Sequence, residues 1–215
     1  MNGRCVVVFG REPIPGQVKT RLAAAIGADR AAAVYEVLLE HTLSTASSSG
    51  ARVVLSLAEQ PSEQWTDAGA VDHIEVQPTG SLGSRLFEAF RRRFVEGEDN
   101  VIVIGSDCPV LTVDHLTSAA DALADVPVVL GPAEDGGYWL VGQRPPGLDL
   151  FSEIRWSHST TLHQTRDRLQ SMRARWREIE CLRDVDDGGD LEAAIQDPAT
   201  PRDLVERLLS ILGAS

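Results

Sequence analysis

Short apolar runs alternate with helical patterns along most of this chain, and the alternation predicts its architecture. Runs of branched apolar residues bounded by turn residues predict buried strands. These lie at 4–9, 52–57, 71–76, 101–104 and 126–130, with a short further strand at 177–181. The unbroken run at 101–104 is typical of a central parallel strand covered on both faces.

Amphipathic periods between these runs predict the helices. They lie at 29–46, after Arg85, after Thr112 as the N-cap, at 157–172 in a weaker form, after Asp190 as an N-cap, and at 201–212. In the helix after Arg85, the apolar residues lie on one face, which should point inward. The opposite face would then point to solvent, so Arg91, Arg92 and Arg93 are expected to be mostly solvated. An irregular acidic loop is expected between the strands at 52–57 and 71–76.

A β-α-β alternation of this kind predicts a three-layer α/β/α sandwich around a mostly parallel mixed sheet. The chain has 215 residues and is 43% hydrophobic, enough for a good core. Because no repeat or long linker interrupts it, we expect residues 1–215 to form a single domain.

The overall charge narrows the classes of ligand. A net charge of −12 and a pI near 4.8 argue against nucleic acid or an anionic membrane as the main partner. No apolar stretch approaches the ~20 residues of a membrane helix, and no signal peptide is recognisable, so a cytoplasmic protein is expected. Three widely spaced cysteines support neither a disulfide framework nor a zinc site. A polyanionic ligand would be held locally, by basic side chains, backbone N–H groups and a divalent metal.

The first loop, residues 10–21, carries the most unusual local chemistry. Its prolines and glycines forbid regular structure, and Arg11, Lys19 and Arg21 bring positive charge to the start of the next helix. Lys19 is the single lysine of the chain, since every other basic side chain is arginine. The composition suits a phosphate, although a solvated loop is the alternative interpretation.

Aspartates at two other places in the chain are candidate metal ligands. Asp107 comes directly after the strand at 101–104, where a buried charge must be paired, capped or bound to metal. It is a candidate metal ligand, or alternatively a turn or helix cap. In the cluster Asp184-Val-Asp186-Asp187-Gly-Gly-Asp190, Asp186 is the candidate that would face Asp107, while Asp184 and Asp190 are interpreted as structural.

A glycine-rich turn follows the strand at 126–130. Asp135, Gly136, Gly137 and Tyr138 suit an acceptor-binding loop, because paired glycines allow close approach of a ligand to backbone. The loop at 10–21, Asp107 and this turn all follow apolar strands, so they should gather at one edge of the sheet. No activated nucleophile stands out, which makes covalent catalysis the weaker interpretation.

With these motifs in order, the chain resembles the nucleotide-diphospho-sugar transferase superfamily with the GT-A fold. Within it, the chain resembles a family of small bacterial glycosyltransferases and the guanylyltransferases for phospholactate and the molybdenum cofactor. The resemblance runs from Phe9 to Leu191 and rests on the following motifs: Pro13-Ile-Pro-Gly-Gln-Val-Lys-Thr-Arg-Leu22, Gly80-Ser-Leu-Gly-Ser-Arg-Leu86, Ile104-Gly-Ser-Asp-Cys-Pro109, Gly131-Pro-Ala-Glu-Asp-Gly-Gly-Tyr138 and Asp184-Val-Asp186. Arg11 departs from the family's usual lysine, and Asp187-Gly-Gly189 from its threonine-proline-glutamate.

The resemblance implies roles for these residues. Lys19 and Arg21 would bind nucleotide phosphates and, with Asp107, form the catalytic set, while Asp107 and Asp186 would hold Mg²⁺ or Mn²⁺. The implied nucleotide site comprises Gly10, Arg11, Pro15, Gly16, Lys19, Thr20, Arg21, Gly83 and Arg85.

The predicted activity is metal-dependent transfer from a nucleotide donor to a small molecule. Nucleotidyl transfer from a nucleoside triphosphate to a phosphorylated or carboxylated acceptor is favoured, because the Lys-Thr-Arg loop suits a triphosphate. Glycosyl transfer from a nucleotide-sugar and a nucleotide-binding module without catalysis are the alternatives. Neither the acceptor nor the oligomeric state follows from the sequence.

Overall fold

Seven strands form one sheet in the part of the chain that the computed structural model describes, which is residues 3–63, 65 and 71–213. The strand order is β3-β2-β1-β4-β6-β5-β7, and every pairing is parallel except those of β6 with β4 and β5. The strands are β1 (Arg4–Gly10), β2 (Arg52–Leu57), β3 (His73–Val76), β4 (Asn100–Ile104), β5 (Val128–Pro132), β6 (Tyr138–Gln143) and β7 (Trp176–Glu178). The predicted mostly parallel mixed sheet is confirmed.

Helices cover both faces of this sheet. They are α1 (Thr20–Ile26), α2 (Ala28–Ser48), α3 (Leu82–Val95), α4 (Val113–Asp125), α5 (Thr161–Ser171), α6 (Gly188–Gln196) and α7 (Arg202–Leu212). Alternate residues of β1 point to opposite faces. Val6 and Val8 pack with α2 and α4, whereas Cys5 and Val7 pack with α3 and α5. The predicted three-layer sandwich is therefore confirmed.

The middle of the sheet matches the apolar pattern of the sequence. Residues 101–104 of β4 are all buried, and the strand lies between β1 and β6 as a central strand should. Thr112 caps α4 as predicted, its hydroxyl accepting a hydrogen bond from the His115 backbone N–H. No helix in the described ranges is long and apolar enough to cross a membrane.

Local details differ from the sequence prediction at several points. The helical pattern after the first loop divides into α1 and α2 at Gly27, whose φ of 89° interrupts the helix. The predicted strand at 71–76 is shorter and begins at His73. Part of the predicted acidic loop before it, residues 64 and 66–70, lies outside the described residues.

The prediction of a solvated arginine run was wrong for Arg93. Arg93 follows Phe90 and Leu86 on the inner face of α3, so its side chain is only 2% exposed. It forms ion pairs with Glu75 at 3.0 Å and Glu96 at 2.8 Å. Arg93 therefore follows the same period of 3.6 residues as its apolar neighbours on this helix face. Its buried guanidinium group is stabilised by the two carboxylates.

The prediction that Asp190 is the N-cap of α6 was also wrong. Asp187 is the N-cap, and its carboxylate accepts hydrogen bonds from the backbone N–H groups of Gly189 and Asp190. Asp190 completes a capping box, because its carboxylate accepts hydrogen bonds from the N–H groups of Asp186 and Asp187. Both aspartates therefore stabilise the start of this helix.

Candidate active site

The first loop is attached to the loop after β4 through Tyr35 of α2. The Arg11 backbone N–H donates a hydrogen bond to the Tyr35 hydroxyl at 2.9 Å. The same hydroxyl is hydrogen-bonded to the Ser106 hydroxyl at 2.9 Å. Both loops follow parallel strands, so the carboxyl edge of the sheet holds them side by side, as the sequence predicted.

Lys19 and Asp107 form an ion pair at this edge. The Lys19 Nζ donates to the Asp107 Oδ2 at 2.5 Å, and the lysine side chain is 8% exposed while the aspartate side chain is 29% exposed. Burial alone would lower the pKa of Lys19, but the Asp107 carboxylate outweighs it, and the pKa is raised above its ordinary value. The lysine therefore carries its charge at neutral pH.

The backbone at Lys19 has an uncommon conformation. Its φ of 46° and ψ of 50° lie in the left-handed region, and Lys19 is the N-cap of α1. Only a few per cent of residues other than glycine adopt this conformation. From this position the single lysine of the chain reaches the loop after β4, where its ammonium group contacts Asp107.

A second ion pair lies farther out. Arg21 Nη1 donates to Asp186 Oδ2 at 2.6 Å, and both side chains are largely solvated. Asp186 thus contacts an arginine of the first loop in this structure. Its role as a metal ligand stays a prediction.

The segment around Asp184 is attached directly to the loop after β4. The Val185 backbone N–H donates to the Asp107 carbonyl oxygen at 3.0 Å, and the Val185 side chain is fully buried. Asp184 and Asp186 flank this buried residue, and Asp184 lines a cavity together with Asp107 and Asp135. Burial, and then the charges of Asp107 and Asp135, raise the pKa of Asp184 to about 6.

The cavity lies at the carboxyl ends of β1 and β4 and measures about 250 Å³. Its walls are mostly apolar and aromatic, formed by Phe9, Leu82, Leu86, Tyr138, Trp139 and Trp156. Ser157, His158 and Thr161 add polar groups at the start of α5. A concave apolar site with a few convergent polar groups is typical of a small-molecule site.

The glycine-rich turn forms another wall of this cavity. The Asp135 carboxylate accepts a hydrogen bond from the Gly137 backbone N–H at 2.7 Å, and the Gly136 carbonyl accepts one from Leu162 N–H at 2.9 Å. Gly136 has φ of 87°, and a Cβ there would lie 2.1 Å from the Ser159 carbonyl oxygen. Turn geometry and close packing account for both glycines, so neither is evidence of ligand contact.

The other residues of the implied nucleotide site are spread around this edge. Arg11 is exposed and lies 3.5 Å from Glu59, and Pro15, Gly16 and Thr20 lie on the solvent side of the first loop. Gly10 ends β1, where a Cβ would lie 3.3 Å from Leu55. Their nucleotide contacts stay predictions.

The motif at 80–86 contributes through packing. A Cβ on Gly83 would lie 2.7 Å from the Phe151 carbonyl oxygen and 2.9 Å from the Trp156 indole nitrogen. Glycine is therefore needed for the segment at 151–156 to lie against α3. Arg85 donates to the Gln77 side chain at 3.0 Å, beyond the end of β3.

Neither residue beside Asp107 has the environment of a nucleophile. Cys108 is buried, which raises the pKa of its thiol to about 12, so the thiol stays protonated at neutral pH. The Ser106 hydroxyl is hydrogen-bonded to Tyr35 rather than to a histidine. Both observations agree with the sequence pattern, in which no activated nucleophile stands out.

Sequence reasoning gave no place in this cavity to two residues that line it. Asp184, which the sequence analysis interpreted as structural, lines the cavity, and the alternation of Asp184, Val185 and Asp186 around one apolar residue was the available signal. Trp156 carried no local signal, because its place beside Tyr138 depends on packing between distant segments.

Comparisons with known proteins agree with this fold. The sequence profile of a family described as "Uncharacterized protein conserved in bacteria (DUF2064)" matches residues 40–158. A phosphoenolpyruvate guanylyltransferase from Sphaerobacter thermophilus is 27% identical over 181 residues, which cover 81% of this chain and 84% of that protein.

Two solved structures have a similar fold. A protein from Desulfovibrio desulfuricans G20, assigned as a nucleotide-diphospho-sugar transferase, is 26% identical with a TM-score of 0.89, covering 99% of this chain and 98% of its own. The inositol-1-phosphate CTP transferase of T. maritima is 14% identical with a TM-score of 0.57, covering 100% and 99% of the two chains, and shows the fold alone. The GT-A fold, the resemblance to nucleotide-diphospho-sugar transferases and the prediction of a transferase are confirmed.

Proposed function

Because this chain belongs to the bacterial family DUF2064 and has the fold of nucleotide-diphospho-sugar transferases, we propose that it is a metal-dependent nucleotidyltransferase. Its donor is a nucleoside triphosphate, and its acceptor is a small molecule with a phosphate or carboxylate. The likeness to a guanylyltransferase over most of both chains supports this reaction over other transfers.

The observation that carries the proposal is the partly buried Lys19–Asp107 ion pair beside the cavity. It places one ammonium group and one carboxylate at the carboxyl edge of the sheet, where ligands of such folds bind. The ammonium can donate to phosphate oxygens as a point charge. Arg21 follows in the first turn of α1 and adds a second cation on the open side of the loop.

The carboxylates here fit a divalent metal. Asp184 is desolvated and lies among like charges that raise its pKa, a situation that a cation would relieve. Carboxylate oxygens are hard ligands, and Mg²⁺ typically takes one or two of them together with waters and substrate phosphates. Within residues 3–63, 65 and 71–213 no set of three His, Cys, Asp or Glu side chains is grouped as a metal site, so the substrate would complete the coordination. Asp107 and Asp184 would hold the ion, with Asp186 as the alternative second ligand.

In the reaction, an acceptor oxygen attacks the α-phosphorus of the nucleoside triphosphate, and the bond to the β-phosphate oxygen breaks to release pyrophosphate. Lys19 and Arg21 orient the phosphates and stabilise the negative charge that moves onto the leaving group. A bound Mg²⁺ or Mn²⁺ would supply further charge neutralisation at the phosphates. No covalent enzyme intermediate is required, in agreement with the inert Cys108.

Glycosyl transfer is the second candidate, and the likeness to the D. desulfuricans protein favours it. In that reaction the donor is a nucleotide-sugar, and the nucleoside diphosphate leaves from the same phosphate site. The acceptor hydroxyl would then approach from the cavity.

A thermal-shift screen separates these candidates. Nucleoside triphosphates and nucleotide-sugars are each added with and without Mg²⁺ or Mn²⁺, because a bound ligand raises the melting temperature by mass action. The proposal predicts a metal-dependent rise for a triphosphate that exceeds the rise for the matching nucleotide-sugar. A larger rise with the nucleotide-sugar would favour glycosyl transfer. A rise that ignores the metal would favour a non-catalytic binding module, and no rise with any nucleotide would refute all three.

A further inference from the structure

Two aromatic rings that line the cavity, Tyr138 and Trp156, are supported by further rings behind them. Tyr138 and Trp156 meet edge to face with ring centroids 6.1 Å apart, and Trp156 lies 6.3 Å from Phe151. Phe151 in turn stacks on Phe90 of α3 at 5.8 Å. Because each ring is supported by the next, this wall is held rigidly and presents apolar surface to a ligand.

The charged residues among the described cavity-lining residues all have one sign. They are Asp107, Asp135 and Asp184, and among the described lining residues there is no lysine or arginine. Lys19 is connected to the cavity through its ion pair with Asp107. Ser157 and Thr161 add hydroxyl groups to the lining, and His158 adds an imidazole whose Nδ1 is hydrogen-bonded to the Thr160 hydroxyl at 2.8 Å.

This distribution limits the charge that an acceptor can carry. One anionic group can approach Lys19 and a metal held by the carboxylates, where cations compensate it. A second anionic group elsewhere in the cavity would lie among aromatic and aliphatic side chains without a lysine or arginine partner, and burying an unpaired charge there is strongly unfavourable. The cavity carboxylates would also repel it.

We propose that the cavity selects an acceptor with a single anionic, reacting group and an uncharged apolar body that packs against Tyr138, Trp156 and Leu82. This inference rests on the proposed nucleotidyl transfer and narrows its acceptor class. The cavity of about 250 Å³ takes a body of about eight non-hydrogen atoms, if each occupies about the volume of a water molecule. Phosphoenolpyruvate, named for the S. thermophilus relative, carries a carboxylate beside its phosphate and is a poor match for this cavity.

A matched pair of probes tests the selection. Phenyl phosphate and 4-carboxyphenyl phosphate share the phosphate and the ring, and differ by one carboxylate. Their affinities are measured by calorimetry with Mg²⁺ present. Phenyl phosphate is expected to bind at least about tenfold more tightly, because only the second probe buries an unpaired charge. Equal affinity, a preference for the carboxylated probe, or no binding of phenyl phosphate would overturn the inference.

Two arginine substitutions on α3 test whether the preference for phenyl phosphate arises in the cavity. Leu82 lines the cavity and is partly exposed, so Leu82→Arg places a cation there and is expected to remove or reverse the preference for phenyl phosphate. Phe87→Arg is the control, because Phe87 is 45% exposed on the same helix and does not line the cavity. An unchanged preference in a folded Leu82→Arg protein, or an equal change in Phe87→Arg, would contradict the proposed selection.

The outcome is separable from that of the proposed function. If nucleotides stabilise the protein in a metal-dependent way but the probes show no preference, the acceptor inference fails and nucleotidyl transfer stands. If the probes discriminate as expected and no nucleotide binds, the cavity selection stands and the transfer reaction fails.

Discussion

The two sides of the candidate site are built in opposite ways. The first loop and the loop after β4 meet through charged groups, with Lys19 paired to Asp107 and Arg21 paired to Asp186. The cavity beside them is lined mostly by apolar and aromatic side chains, among them Tyr138 and Trp156, which meet edge to face. We infer that the charged side binds the nucleotide phosphates and that the aromatic side selects the acceptor.

The proposed roles of the two sides can be tested separately. Ammonium and guanidinium groups can bind phosphate, which every nucleotide donor shares. In this proposal the apolar walls of the cavity contact the acceptor instead. Substitutions on the two sides should therefore affect different measurements.

The largest expected effect comes from the support of the aromatic side. Gly136→Ala places a Cβ 2.1 Å from the Ser159 carbonyl oxygen at a φ of 87°, so the turn and the start of α5 must move. We expect a loss of about 3 kcal/mol or more in the free energy of unfolding, measured by urea denaturation.

Gly16→Ala is the matched control on the charged side. Gly16 has φ of 79°, but no atom lies within 4 Å of the point that a Cβ would occupy, so only backbone strain is added. A loss of about 1 kcal/mol is expected there. Equal losses in the two variants would show that the packing of Gly136 on Ser159 adds nothing to stability.

On the charged side, Asp107→Asn should remove the metal-dependent part of nucleotide binding. The amide keeps the shape of the side chain but loses the charge that attracts both Lys19 and a divalent ion. We expect nucleotide affinity with Mg²⁺ to fall by at least about a hundredfold, or about 2.7 kcal/mol, in calorimetry. Asp121→Asn on α4, whose side chain is 68% exposed, is the control and should bind like the unmodified protein. A metal-dependent affinity that survives in Asp107→Asn would separate this residue from the metal site.

Asp184 lines the cavity together with Asp107, and in the absence of metal its substitution should have the smallest effect. Its pKa is raised from 3.8 to about 6 by burial and then by Asp107 and Asp135, so its ionisation destabilises the metal-free folded state. The raised pKa means that this destabilisation is absent below about pH 4, grows as the pH rises toward 6 and is complete above it.

Asp184→Asn should therefore raise the free energy of unfolding by about 1–2 kcal/mol at pH 8 without metal, after allowance for partial exposure. The gain should be smaller at pH 5, where the aspartate is mostly protonated. Thermal denaturation at the two pH values measures both. A loss of stability at pH 8 would show that the carboxylate is stabilised by contacts other than those described above.

The sequence predicted the charged side better than the aromatic side, for a physical reason. A lone lysine and an aspartate directly after an apolar strand are local signals, and the parallel sheet brings strand ends together wherever such strands occur. Asp107 and the loop at 10–21 were therefore placed correctly at one edge of the sheet.

The aromatic side depends on contacts between distant segments, which local patterns do not encode. The segment at 151–156 lies against α3 because Gly83 leaves room for Phe151 and Trp156. Asp184 reaches the cavity because Val185 pairs with the backbone of Asp107. Arg93 was predicted to be solvated for a related reason, because its ion-pair partner Glu75 comes from the distant strand β3.

The central claim, that the charged side binds a nucleoside triphosphate through Lys19, is tested most directly by calorimetry. The triphosphate that gives the largest thermal shift is titrated with Mg²⁺ into the unmodified protein, into Lys19→Ala and into Arg30→Ala. Arg30 is an exposed cation of α2 and serves as the control for loss of one positive charge. We expect at least about tenfold weaker binding for Lys19→Ala, because a charge-assisted hydrogen bond is lost, and unchanged binding for Arg30→Ala. Equal affinity in a folded Lys19→Ala protein, or no binding to the unmodified protein, would contradict the claim.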